Sequence, residues 1–269
     1  MAFPATSSQA ALDPSPSMNE RSMNCHMVST PHPCYNHTVQ SPETFALEVH
    51  QRLLNDYGQP VWRGRLPPVD ELISTILSQN TNDVNRDRAF TSLREAFPTW
   101  DAVRDARPEA VIDAIKIAGL SNQKGPRIQG VLQQITDERG EINLDFLRQL
   151  PPDEVRAWLL RFKGVGPKTA AIVMLFSLDM PAFPVDTHIY RVTGRLGLRP
   201  EGVNAEKAHK LLGELFPPEI YYAAHLNLIR HGRQVCLARS PACDRCVLQD
   251  LCGYYREFVA ETVTLESDG

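Results

Sequence analysis

The sequence predicts an all-α protein, and three observations carry that prediction. Apolar residues recur at i, i+3, i+4 and i+7 in one segment after another, as in Val69, Leu72, Ile73, Ile76 and Leu77, the spacing that gathers them on one helix face. No stretch alternates apolar and polar residues as a half-buried strand would. Proline and glycine break the periodic segments at short intervals, which suits helices joined by short loops in a compact bundle.

Residues 1–40 are rich in Ser, Pro, Asn and Thr, carry few charges and show no apolar period, so they are predicted to form a disordered tail. Cys25, His26, His32, Cys34 and His37 fall in this tract, at spacings that fit no metal-binding module. Residues 44–57 read as the first helix, and a link over 58–68 containing proline and glycine leads to the strong helix around Leu72. That helix runs into a polar break, 78–84. Ala89, Phe90, Leu93 and Phe97 mark the next helix, stopped by Pro98; Val111, Ile112 and Ile115 mark another, stopped by Gly119. Further helices are predicted over 124–137 and 144–150. Val155, Trp158, Leu159 and Phe162 then share a face, and the turn Lys163-Gly164-Val165-Gly166 follows, with two glycines where the backbone must reverse. Pro167 suits the first position of a new helix. The segment 169–178 is apolar nearly all round and should be buried. Asp186 is placed to start the following helix, 187–196, and 205–216 and 220–231 complete the series.

The 269 residues suffice for one large or two modest domains. With 28 basic and 32 acidic side chains and a net charge of −4, bulk charge does not make this a protein that coats nucleic acid. A local basic face remains open, because Arg161, Lys163, Lys168, Arg191, Arg195, Arg230, Arg233, Arg239 and Arg245 cluster in the second half. No apolar run reaches the length of a membrane span and no signal-peptide core is present, so the expectation is a soluble, cytoplasmic protein.

Two constellations carry chemistry. A Gly-Val-Gly turn opening onto a helix N-terminus aims free backbone amides at one point, an anion site that a DNA phosphate would suit. Lys168 sits just past it and Asp186 eighteen residues later, a possible amine nucleophile and its electrostatic partner; the plainer readings are a phosphate-contacting lysine and an N-cap. Cys236, Cys243, Cys246 and Cys252 lie within seventeen residues at Cys-x6-Cys-x2-Cys-x5-Cys spacing. Four thiolates on one loop suit a [4Fe–4S] cluster or a structural zinc, and not a secreted disulfide set. The loop 237–242 presents Arg239, expected to touch DNA phosphate.

Gly164-Val165-Gly166-Pro167-Lys168-Thr169-Ala170 and Val185-Asp186-Thr187-His188 resemble the motifs of the helix-hairpin-helix DNA glycosylases, most closely the endonuclease III branch. One departure is Phe162-Lys163 where the family has Leu-Pro. The resemblance spans about 44–255. It implies a two-lobed fold, with a helical barrel lobe over 62–180, an iron–sulfur cluster lobe from 41–61 plus 181–260, and a terminal tail over 261–269. It implies a [4Fe–4S] cluster on the four cysteines, and Lys168 as the Schiff-base nucleophile, with Asp186 stabilising charge on the sugar. Gly164, Gly166 and His188 would contact the DNA backbone. Asn80, with Gln79 as its rival, would fill the gap left by the extruded base, and Leu120 would wedge into the stack. Asp83 would line the base pocket and point to pyrimidines. The activity so implied is a bifunctional glycosylase with abasic-site lyase activity on oxidised or damaged pyrimidines, a nucleoid-associated monomer acting on double-stranded DNA with a damaged base. Alternatives are a 5-methylcytosine or mismatch glycosylase, a helix-hairpin-helix module that only binds DNA, and a zinc-stabilised structural protein.

Overall fold

A computed structural model of the protein describes residues 40–61 and 64–259. The predicted tails over 1–40 and 261–269, and the Cys25 to His37 group, lie outside them, save Gln40. Among the described residues there is no β-strand, as the missing alternation predicts. Eleven α-helices run through the described residues: α1 Pro42–Tyr57, α2 Pro68–Ser78, α3 Asp83–Ala96, α4 Trp100–Asp105, α5 Pro108–Ala114, α6 Ser121–Arg139, α7 Pro152–Leu160, α8 Pro167–Phe176, α9 Thr187–Leu196, α10 Ala205–Leu215 and α11 Tyr221–Gln234. Their starts follow from local chemistry. Ser41, Asn82, Thr99, Asp186 and Asn204 each accept a first-turn amide with the side chain, and proline opens α1, α2, α5, α7 and α8.

Burial divides into two hydrophobic cores. One gathers α2 to α8 around Leu72, Ile76, Leu93, Ile128, Leu132, Phe162 and Val173. The other joins α1 to α9, α10, α11 and the C-terminal turns around Val49, Leu53, Ile189, Val192, Phe216 and Leu228. Helix α8 belongs to both, since Val173 and Met174 face the first core and Leu175 the second. Its apolar circumference is thus used on two sides.

Three elements differ from expectation. The segment predicted as a helix over 144–150 is a 3-10 turn, Asp145–Gln149. The Asn143 side chain accepts from Asp145 N at its start, and Pro151 disfavours a further helical turn at Leu150. Helix α6 begins before residue 124 and carries Pro126 inside it. Leu120 does not end the preceding helix but starts α6 from a left-handed conformation, φ 51. Helix α4 was not anticipated, because six residues leave too short a window for a period to show.

Candidate active site

The hairpin between α7 and α8 turns at Gly164, φ 84, where a side chain is disfavoured and space is absent: an added Cβ would lie 2.2 Å from Arg127 Nε. Gly166 is the N-cap of α8, and no side chain caps that helix. The first-turn amides of Lys168 and Thr169 are therefore free to meet an anion. Lys168 stands in that turn with its side chain exposed.

Asp186 is buried at the start of α9. Its Oδ1 accepts from His188 N and Ile189 N at 2.9 and 2.8 Å, so the carboxylate is fixed by two backbone donors and Oδ2 has no part in the cap. The His188 ring accepts at Nδ1 from Arg191 Nη2. Gly232 lets α11 approach closely here, since a Cβ on it would fall 2.8 Å from His188 Cβ.

Lys168 and Asp186 line one cleft of about 720 Å3 between the two cores, together with Asp83, Glu71, His225 and Arg233; this is the size of a small-molecule pocket. Both also line an adjoining hollow of about 460 Å3 with Gln79, Asn80 and His188. Asp83 is paired across the cleft: Arg233 Nη1 of α11 donates to Oδ2 at 2.7 Å, and Arg86 lies 3.4 Å from Oδ1. Burial works to raise the Asp83 carboxyl, but the hydrogen bond and charge of Arg233, with the charges of Arg86 and Lys168, outweigh it and hold it below the ordinary range. Burial pushes His225 well below the ordinary imidazole value, against the pull of Asp186. Its Nδ1 lies 2.9 Å from Pro184 O, an atom that only accepts, so Nδ1 carries the proton of a neutral ring.

The polar break after α2 and the turn before α6 come together. Asn80 and Leu120 are both exposed and both left-handed, φ 53 and 51, a conformation that costs a residue with a Cβ about 1–2 kcal/mol. Gln79 lies elsewhere in the arrangement. Its Nε2 donates to Gly164 O at 3.0 Å and its Oε1 accepts from Arg127 Nη1 at 2.5 Å, which ties it to the hairpin. Under these loops lies Lys124, 1% exposed, donating to Leu77 O, Thr81 Oγ1 and Ala118 O. Lys124, Arg127, Glu71 and His225 were not singled out from the sequence. For Lys124 a signal existed: it occupies the apolar stripe of α6 with Ile128, Val131, Leu132 and Ile135, where a charge needs a reason.

Cys236, Cys243, Cys246 and Cys252 line a single cavity closed by Val192, Leu196, Val235 and Leu248. Arg195 Nη1 donates to Cys236 Sγ at 3.3 Å, and His231 Nε2 lies 3.6 Å from Cys246 Sγ. Burial pushes the Cys246 thiol up to about 11, and burial with the neighbouring sulfurs raises Cys243 and Cys252. Such thiols ionise when a strongly cationic centre sits among them. Among the described residues no three His, Cys, Asp or Glu side chains converge as a single-ion site. Four thiolates lining one cavity are the donor set of a [4Fe–4S] cluster, one iron per thiolate. Arg239 is exposed on the loop between the first two cysteines.

The family profile described as HhH-GPD superfamily base excision DNA repair protein matches residues 73–218, and the iron-sulfur binding domain of endonuclease III matches residues 236–252. A putative DNA glycosylase of Arabidopsis thaliana is 38% identical over 165 residues, which span 61% of this chain and 56% of that protein. Endonuclease III of Sulfolobus acidocaldarius is 37% identical over 186 residues, 68% of this chain and 81% of the relative. Among solved structures, a trapped endonuclease III–DNA covalent intermediate superposes with a TM-score of 0.66 at 27% identity, over 79% of this chain and 94% of that one.

Proposed function

The chain belongs to the HhH-GPD superfamily of base excision DNA repair proteins, in its endonuclease III branch, and carries that branch's [4Fe–4S] cluster loop; from this premise we propose that it is a bifunctional DNA glycosylase and abasic-site lyase acting on damaged pyrimidines in double-stranded DNA. One observation carries the reading: Lys168 and Asp186, from different helices, line one cleft of base-accommodating size.

The Lys168 Nζ lone pair attacks C1′ of the extruded nucleotide, the C1′–N bond breaks, and its electron pair leaves with the base, which takes up a proton. One amine proton is lost, the C1′–O4′ bond breaks as O4′ takes up a proton, and Nζ and C1′ are left joined as a protonated Schiff base. Removal of a C2′ proton then expels the 3′ phosphate by β-elimination. Asp186 supplies a fixed negative charge beside the positive charge that grows on the sugar, with no reorganisation at the moment of reaction. Its two cap bonds keep it in place. Cys236, Cys243, Cys246 and Cys252 would hold the cluster, which would order the segment 236–252.

The remaining roles follow the same geometry. The uncapped start of α8 beyond Gly164 and Gly166 receives a phosphate, and His188 and Arg239 contact the backbone on either side. Asn80 fills the gap opposite and Leu120 wedges the stack, a division favoured by their shared exposure and strain and by the engagement of Gln79 with the hairpin. Asp83 meets the base where Arg233 now holds it. The first core and the second form the two lobes, and one copy of the chain suffices. Excision assays on duplexes carrying thymine glycol, uracil, 5-methylcytosine or a normal thymine test the substrate class. Release from thymine glycol with normal thymine untouched is the result expected; release of 5-methylcytosine alone would overturn the choice of substrate.

A further inference from the structure

Lys124 is the one lysine or arginine in the buried class among the described residues, and it has no place in the chemistry above. An ammonium has three N–H donors, and here each has an acceptor: Leu77 O at 2.7 Å, Thr81 Oγ1 at 2.7 Å and Ala118 O at 2.9 Å. None of the three carries a countercharge. The Thr81 hydroxyl in turn donates to Ala118 O. The first acceptor lies in the last turn of α2, which runs into the loop that carries Asn80, the second lies in that loop, and the third precedes Gly119 and Leu120. One buried cation thus joins the two loops whose exposed tips are held left-handed.

Stability alone does not account for this choice. A buried cation without an anionic partner is costly to desolvate, and an apolar side chain of similar length on the same stripe would avoid that cost. What the ammonium provides is directional: it fixes carbonyls 77 and 118 and hydroxyl 81 to one point. A strained tip persists only where its surroundings over-determine it. We propose that Lys124 is a positioning residue that fastens the Asn80 loop to the Leu120 loop, so that the two tips meet duplex DNA as one rigid unit. This rests on the reading of Asn80 and Leu120 as the residues that enter the stack. Arg127, one turn along α6, extends the same face to Gln79 and the Gly164 hairpin.

The test compares borohydride-trapped adduct formation on an abasic site in duplex DNA, which must be unstacked, with the same site in single-stranded DNA, which need not be. Lys124→Met is expected to slow trapping on the duplex about ten-fold more than on the single strand. In the wild type the effects of Asn80→Ala and Leu120→Ala on duplex trapping are expected to be non-additive, and in the Lys124→Met background to become additive. Equal slowing on both substrates would reduce Lys124 to a structural role, and coupling that survives its loss would equally overturn the proposal. If Asn80→Ala and Leu120→Ala leave duplex trapping intact with Lys124 in place, it is the reading of the tips that falls. Thr81→Val keeps the buried amine and removes the bridging hydroxyl, so it provides the same comparison should Lys124→Met not fold; additivity of the tips is again the supporting result and undiminished coupling the opposing one.

Discussion

Asp186 caps α9 with Oδ1 and faces the cleft with the same carboxyl group, and two substitutions separate these duties. Asp186→Asn keeps an oxygen acceptor for both amides and removes the charge, so thermal stability should hold while adduct formation falls by a factor of roughly 100 or more. Asp186→Ala removes both and should also cost about 1 kcal/mol of stability, read as a lower melting temperature. Adduct formation at the wild-type rate in Asp186→Asn would show that the charge itself does nothing. Asp83 calls for the opposite comparison. Its pair with Arg233 is half exposed, so Asp83→Asn should change stability by less than about 1 kcal/mol while altering the rates at which different damaged bases leave. At this scale Lys168 and Asp186 were legible because each motif is continuous in sequence. The function of Lys124 was not, because its acceptors lie 47 and 43 residues away for Leu77 and Thr81, a closure no local pattern announces.

The hairpin is the element on which the most can be tested. Gly164 sits at φ 84 against the Arg127 side chain, so Gly164→Ala adds backbone strain and forces Arg127 away from Gln79. A loss of about 1–2 kcal/mol in stability is expected, together with weaker binding to duplex DNA; an unchanged affinity would remove the phosphate from this turn. Helix existence was readable from periodicity and capping residues, and Asp186 was recognised as a helix start for that reason. Helix type was not always readable. Residues 145–149 carry the apolar Phe146 and Leu147 of a helix, yet the Asn143 side chain bound to Asp145 N and a proline at 151 leave room for one tight turn only. Leu120 shows the same limit, since a left-handed residue without glycine is set by its partners across the loop and not by its own type.

The described residues form two cores sharing α8, and each core can be tested. Replacing Cys246 by Ser should remove the visible thiolate–iron absorption and loosen the segment 236–259, in which Leu248 alone is buried, so that its order depends on the cluster. Hydrogen exchange would register this first in the second core. The first core has its own pH signature. Burial, and then the Arg127 guanidinium, push the Lys124 ammonium down to about 8 from 10.5, so the folded state resists its charge. That penalty applies in full below about 8 and is relieved as pH rises from there towards 10.5, where the folded chain has shed a proton that the unfolded chain still holds. The melting temperature of the wild type relative to Lys124→Met should therefore rise over that window; a fall would reverse the assigned sign. The two-lobed plan was legible only through the resemblance carried by the hairpin and the cysteine spacing. Periodicity marks which face of a helix is buried, not which of two cores receives it, and the cleft between them belongs to neither segment alone.

Everything proposed for the cleft depends on Lys168 being the nucleophile. Borohydride reduction during turnover on a duplex containing thymine glycol, followed by peptide mapping of the adduct, tests it most directly. A covalent protein–DNA adduct located at Lys168 is expected, absent in Lys168→Gln while that variant still binds the duplex. An adduct that survives Lys168→Gln, or that maps to another amine, would contradict it.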